Sequence, residues 1–484
     1  MLEGFPRKNY IHLFTNPYEI QSNNITTKCG GNPMQRFFPG HSLLLVLLVL
    51  LSPLSLSAQE SADDSGVKHV EIERYNFSSI DKDAQMWSGM YIASNNKVYV
   101  GLCTHGDAAT VYEFDIGTRK MRQLANLTVI LKERGYGIWT NGKIHVRMQE
   151  LDGYVYFGSF CEDNGPPAID ASSYRGPWWF KIEMSTGIVT PISRINTFWG
   201  LIGQIMDQER RIIYGLAENG HLYRYFIDRD YTEDMGRVDN WDICRTLLMD
   251  DLGNVYGSYS PGKIWKFDVA QDRIFELNHL ELPIINVTRS MANPMLDRKT
   301  QWRSIQWDPV DKVAYGIVGG SNMLFRYDVH AGRGGVIEPL ALMCAPRYRE
   351  GDPYEIPHAT LAMTLSEQER KVYFMPVVSG DFDYGVLELN TVKKVKSKNK
   401  RRLPSLSWMV SYDIESGIRE DVGLLRTADG HYAFGQGAAC TDSEGRIWFV
   451  GAFEEPDEKF VVGTMRGIPY SMGLGCYDPE KNRN

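Results

Sequence analysis

From about residue 85 onward, short apolar runs alternate with polar turns in a unit that recurs along the chain. Each unit has an apolar run, a polar turn, a run ending in an aromatic–Gly step, a loop, and a run ending in an aromatic–Asp step. The second runs are Lys97–Gly101, Tyr154–Gly158, Ile212–Gly215, Asn254–Gly257, Val313–Gly316, Lys371–Phe374 and Arg446–Gly451. The third runs are Val111–Asp115, Trp178–Ile182, Leu222–Tyr225, Ile264–Asp268, Leu324–Asp328, Met409–Asp413 and Leu474–Asp478. Turns such as Leu151–Gly153, Asp251–Gly253 and Ser443–Gly445 part the first runs from the second. Alternation with a period of two marks half-buried strands, and helical spacing is nowhere sustained.

Four short strands cannot cover both faces of their own sheet. A radial arrangement lets each sheet pack on the next. The pattern therefore predicts an all-β chain folded as a seven-bladed β-propeller, with repeats roughly 45 to 65 residues apart because some loops are long. The last third run ends almost at the C-terminus, which leaves its blade one strand short. Residues 68–77, Lys-His-Val-Glu-Ile-Glu-Arg-Tyr-Asn-Phe, alternate as a strand and belong to no unit. They are expected to complete the last blade and close the ring, removing an open edge.

The N-terminus has a different texture. Leu43–Leu51 is unbroken apolar sequence, with Arg36 and His41 before it and small residues through Ser57 and Ala58 after it. A basic start, an apolar middle and a small-residue exit read as a secretion signal. The apolar stretch is short for a bilayer span, which needs about 20 residues. The expected organisation is a non-native or disordered extension over 1–33, a signal peptide over 34–58 opening at Met34, a disordered linker over 59–67, and the propeller over 68–484. A secreted or periplasmic location follows, with no stable membrane insertion once the signal is removed. An uncleaved anchor is the rival reading.

Composition narrows the function classes. The formal charge of −8 argues against a nucleic-acid binder, which normally carries a basic stripe. Aromatics at 12% suit both sheets and sugar-stacking surfaces. The seven Cys include no CxxC pair, which excludes a zinc ribbon or thioredoxin motif. Buried thiols are the plain reading of them. Cys103 and Cys161, near equivalent positions in neighbouring repeats, are the pair to consider for a disulfide. Gly257-Ser-Tyr-Ser-Pro-Gly-Lys263 imitates a phosphate-binding loop but is followed by Ile264 and a strand, so it is rejected.

In a four-stranded antiparallel blade, the start of the first strand and the loop between strands two and three lie at one end. Ligand sites favour such mouths. Those places hold His105, His145, Arg245, Arg303, His358, Gln204 and Gln436. Longer loops add Tyr136, Trp139, Asp163, Asn164, Tyr174, Trp199, Tyr259, Asn322 and Tyr354. An inner-strand Arg or His also serves simply to hydrogen-bond adjacent blades. The basic run Lys393–Arg402 reads as a solvated loop or an electrostatic guide for an anionic glycan.

Val100–Gly106, Gly142–His145 with Tyr154–Gly158, Gly220–Tyr225 and Cys244–Leu247 carry a resemblance to a group of exported bacterial seven-bladed propellers. It implies fold and blade phase and says little about activity. More distantly, the chain looks like the propeller-fold polysaccharide lyases that act on uronate polymers such as ulvan. Those use His and Tyr as base and acid, with Arg neutralising the uronate. Their motifs do not map onto this chain residue by residue.

By that analogy the chain is expected to be a polysaccharide lyase cleaving uronate-containing glycans by β-elimination. Its partner would be an anionic polysaccharide or oligosaccharide. His145 or His105 would take the proton beside the carboxylate. Arg245 or Arg303 would pair with that carboxylate, and Tyr136 or Tyr259 would protonate the leaving oxygen. Gln204, His358, Gln436, Trp139, Trp199 and Asn164 would contact the sugar. No cofactor is required, although a divalent ion shared by His105 and His145 is an option. A non-catalytic glycan- or protein-binding propeller is the alternative. A glycoside hydrolase ranks third, since it needs two facing carboxylates and only Asp163 and Asp381 offer themselves.

Overall fold

The computed structural model describes residues 68–77, 84–85, 88–104, 108–133, 140–162, 174–238, 244–283, 300–319, 321–343, 360–376, 406–465 and 468–482. The expected extension, signal peptide and linker before residue 68 lie outside them, as does the basic run Lys393–Arg402. Among the described residues, no helix is long and apolar enough to cross a membrane.

The chain is an all-β propeller. Five blade sheets, four of them four-stranded and one five-stranded, are joined by a nine-stranded mixed sheet that holds the N- and C-terminal strands. The predicted runs fall on observed strands, as with Tyr154–Gly158, Lys263–Asp268 and Met323–Asp328, with Asn254, Arg446 and Asp478 just beyond the strand ends. Each first strand pairs antiparallel with the second and each second with the third, as the pattern requires.

The aromatic–Gly step has a packing cause. A Cβ at Gly257 would lie 2.3 Å from the Trp265 ring, and one at Gly316 would lie 2.5 Å from Phe325. The third-strand ring covers the second strand there, and only hydrogen fits beneath it. Aromatic contacts then link one sheet to the next. Tyr214 meets Phe267 at 5.6 Å, Tyr256 meets Tyr327 at 5.8 Å, and Trp448 meets Phe114 at 5.4 Å. The last contact joins the C-terminal region to the first sheet.

The first strands also touch in series. Leu201–Asp207 contacts Leu248–Met249, which contacts Trp302–Asp308, then Met363–Ser366, then Ala433–Thr441, which returns to Met90–Ala93. These strands surround the axis, so a side chain that escapes the sheet interface on them faces inward.

Residues His69–Asn76 do pair with the C-terminal strand, antiparallel, with Glu73 opposite Cys476 and Asn76 opposite Gly473. The pairing is double. The first half of this strand also runs parallel to Arg419–Thr427, with His69 opposite Leu424 and Ile72 opposite Thr427. That second partner fuses two four-stranded runs into the mixed sheet, which the sequence pattern did not foretell. Cys103 is buried; the Cys161 side chain lies outside the described residues.

Candidate functional site

His145 stands on a short segment held by a buried polar network. The Leu127–Ile130 helical turn is capped by Asn126, whose side chain accepts from the Thr128 and Val129 amides. Just after it, the Glu133 carboxylate accepts from the Asn141 amide at 2.9 Å and from Asn141 Nδ2 at 3.0 Å. Burial pushes the Glu133 carboxyl above its ordinary range, and these hydrogen bonds oppose the shift. Asn141 Oδ1 accepts from Ser159 Oγ at 2.6 Å and from the Tyr174 hydroxyl at 3.0 Å. These bonds tie the strand Thr140–Lys143 to Glu133, Ser159 and Tyr174.

The imidazole that follows is only 2% exposed. Its Nδ1 lies 3.1 Å from the Ile202 carbonyl of the neighbouring sheet. Its Nε2 meets the Arg245 guanidinium. Phe160 lies against the ring at 5.4 Å, and Lys143 Nζ sits 5.1 Å from the Phe160 centroid. Burial, with Arg245, Lys143 and Arg303 adding repulsion, holds His145 well below the ordinary histidine range. It is a neutral imidazole near pH 7.

Arg245 projects from a pinned turn. Cys244 Sγ donates to the Thr246 carbonyl at 3.3 Å and accepts the Ser258 amide at 3.4 Å. Trp302 Nε1 donates to the same Thr246 carbonyl at 2.7 Å. The residue before Arg303 thus ties its strand to the turn that bears Arg245. Arg303 itself is the extra residue where the register shifts between Trp302 and Ser304. Ile202 occupies the same place in its own strand, between Leu201 and Gly203. Such bulges re-aim a side chain. Here they turn one side chain and one carbonyl toward the His145 cluster.

Both guanidiniums are enclosed by protein, although each keeps part of its surface accessible. That combination is expected of side chains facing inward from the axial strands. The accessible surface decides whether a ligand can reach the groups. Burial brings Arg303 down to about 10, and burial with Arg303 repulsion holds Arg245 well below the ordinary arginine range. A guanidinium keeps its proton in proteins, so both are cations at neutral pH. Among the described residues no carboxylate pairs with either. Glu218 acts on Arg245 only as a charge nearby. The Nε atoms of Arg245 and Arg303 are buried without an acceptor. Arg147, two residues past His145, is a third enclosed guanidinium of this kind; burial lowers it.

The sequence-predicted residues separate into groups. His145 and Arg245 are in contact, and Arg303 acts on both of them. Gln204 is used elsewhere. Its Oε1 accepts the Gly158 amide at 2.9 Å and its Nε2 donates to the Tyr156 carbonyl at 3.2 Å, stitching two sheets. Tyr259 is 7% exposed and belongs to the apolar cluster with Cys244 and Trp302. Trp199 packs edge-on against Phe198 at 4.9 Å, in a turn where Asn196 Oδ1 accepts its amide. Gln436 falls in the strand Ala433–Thr441, with its side chain outside the described residues. His105, Tyr136, Trp139, Asn164, His358, Asp163, Tyr354 and Asp381 also lie outside them.

Lys143, Arg147, Glu218 and the Glu133–Asn141 support escaped the sequence reading. A positional signal was available. His145 and Arg245 each stand eleven residues before the second-strand tyrosine of their sheet, Tyr156 and Tyr256, and Arg303 stands twelve before Tyr315 across its bulge. Among the described residues, no group of three or more His, Cys, Asp or Glu is placed to hold a metal ion.

No family model and no curated protein matches the sequence. Among solved structures, the chain is similar to virginiamycin B lyase from Staphylococcus aureus, in a catalytically inactive form with quinupristin. The identity is 11%, over 84% of this chain and 99% of that one, with a TM-score of 0.48. A streptogramin B lyase matches at 11% identity, over 84% and 97%, with a TM-score of 0.48. A chain of a mitotic checkpoint complex matches at 8% identity, over 90% and 100%, with a TM-score of 0.49. The chemistry of this chain therefore rests on its own residues.

Proposed function

We propose that this protein is an exported seven-bladed propeller that binds an anionic, uronate-containing glycan on the axial side of its ring and cleaves it by β-elimination. The observation that carries the reading is the Arg245–Arg303 cluster. Two enclosed guanidiniums without a carboxylate partner among the described residues are costly, and a bound anion relieves that cost. Counting the two runs of the mixed sheet as separate blades gives the count of seven.

The chemistry follows from the positions. The hydrogen beside a uronate carboxylate is weakly acidic until the carboxylate charge is offset. Arg303 and Arg245 supply that offset by paired hydrogen bonds. His145, neutral near pH 7, has one nitrogen able to take the proton. Tyr259, whose ring packs with Cys244 and Trp302, or Tyr136 would protonate the leaving oxygen. Export removes the protein from nucleic acid, and its charge of −8 disfavours such a partner.

One observation favours a second reading, a glycan-binding propeller without catalysis. The Arg245 guanidinium already occupies the His145 nitrogen that a base would use. Incubation with a broad panel of uronate polysaccharides separates the two. The lyase reading expects unsaturated product seen by ultraviolet absorbance, and its loss in His145→Ala. Binding with no product from any polymer leaves only the second reading.

A further inference from the structure

Neutral imidazole has one donor and one acceptor nitrogen, whereas imidazolium has two donors. Around His145 these roles are fixed by its neighbours. The Ile202 carbonyl can only accept, so Nδ1 carries the hydrogen. The Arg245 guanidinium can only donate, so Nε2 carries the lone pair. A proton on Nε2 and an Arg245 N–H at Nε2 exclude one another, because donor would face donor. Among the described residues, the charged groups that act on the ring do so in the same direction. Arg245, Lys143 and Arg303 all oppose its protonation. Arg245 in turn faces Arg303, which repels it, and Glu218, which attracts it.

Resting on the anion-site reading above, we infer that the cluster takes up an anion and a proton together: an anionic group draws Arg245 off His145, and the freed Nε2 then accepts a proton. The free protein keeps Nε2 capped and the ligand uncaps it; the fraction of His145 that takes a solvent proton is held beside the anion, and the fraction left neutral is the base of the lyase reading. The only bond formed is the Nε2–H bond; the proton comes from the buffer acid in solution, whose own bond to that proton breaks and whose conjugate base stays in the solvent. The product is an imidazolium beside the bound anion, with Nδ1 still donating to Ile202. The anion offsets the Arg245 and Arg303 charges that had opposed protonation, so the affinity of His145 for the proton rises on binding. This selects a carboxylate ligand with room for a second donor at the same group, as a uronate offers.

By linkage, a ligand whose binding takes up a proton binds more tightly as pH falls. Sodium glucuronate, a monosaccharide with no glycosidic bond to cleave, is the probe. Calorimetric titration near neutral pH in buffers of different ionisation heat is expected to show uptake of a fraction of a proton per anion. Affinity is expected to improve by up to about tenfold per pH unit on acidification. His145→Gln is expected to bind glucuronate with no proton uptake. Ring-nitrogen NMR of the wild-type protein gives the same answer should that variant fail to fold: His145 passes from the neutral Nδ1–H form to imidazolium on adding glucuronate. Glucuronate binding with His145 still neutral, or uptake that persists in His145→Gln, overturns the inference and leaves the anion site standing. No glucuronate binding at any pH removes the anion site and the inference with it.

Discussion

Two regions of this molecule use buried arginine in opposite ways. At the seam where the chain ends meet, Arg74 donates to the Glu455 carboxylate at 2.6 Å and to the Glu454 carbonyl at 2.8 Å. Ser471 Oγ and Asn76 Nδ2 donate to the same Glu455 carboxylate. Nearby, Lys481 bonds Glu73 at 2.6 Å, and Arg119 lies over the Trp448 ring at 5.4 Å. Each cation there has an acidic or aromatic partner. Among the described residues, Arg245 and Arg303 at the axial strands have neither, and the side chain seen to take an Arg245 hydrogen is a neutral histidine. The first arrangement uses charge to hold the ring closed. The second leaves charge uncompensated where a ligand can reach it.

The comparison is broken most severely by removing the seam. Deleting residues 68–77 strips one pairing partner from each of the Arg419–Thr427 and Ile468–Tyr477 strands. The protein should then aggregate; a soluble product that melts normally contradicts the scheme. A gentler cut at the same place is Glu455→Ala. The carboxylate is 2% exposed, and removing one partner of a buried pair costs about 3–5 kcal/mol. Urea unfolding measures it, and a loss below about 1 kcal/mol would mean that the seam is not held by this pair.

The axial cluster should respond with the opposite sign or hardly at all. His145 is depressed when folded, so the unfolded chain binds the extra proton as pH falls below about 6.5. The contribution is present above that pH and lost below it. His145→Gln should escape this loss, narrowing the stability gap to wild type by about 1–2 kcal/mol between pH 7 and 5. A gap that stays constant across that window would mean the imidazole already carries its proton in the folded protein. Smallest of all, Arg303→Ala should leave stability within about 1 kcal/mol of wild type, or raise it, since it removes repulsion from Arg245. A loss as large as that of Glu455→Ala would put Arg303 among the structural cations.

The blade strands were legible because each carries a local cause. An aromatic ring over a glycine, as at Gly257 beneath Trp265, leaves a two-residue mark that repeats. The antiparallel partner of residues 68–77 was legible from a missing strand. Its parallel partner was not, since strand order between sheets depends on how whole blades meet. His145, Arg245 and Arg303 were visible as residue types at strand starts. Their meeting depends on a register shift before Ser304 and on the Trp302 bond to Thr246, which leave no mark in one sequence. Gln204 illustrates the converse. It sits at a strand start like the others, but the backbone beside it has a free amide and carbonyl that its side chain fits.

Whether Arg245 and Arg303 form one anion site is tested most directly by comparing variants in oligoglucuronate binding at fixed ionic strength. Arg245→Ala and Arg303→Ala should each weaken saturable binding by about 10- to 100-fold, the worth of a charged hydrogen bond. Arg211→Ala, which removes an exposed arginine already paired with Asp152 and Asp228, should leave it unchanged. Equal affinity in all three variants, or no saturable binding in the wild-type protein, would contradict a single anion site.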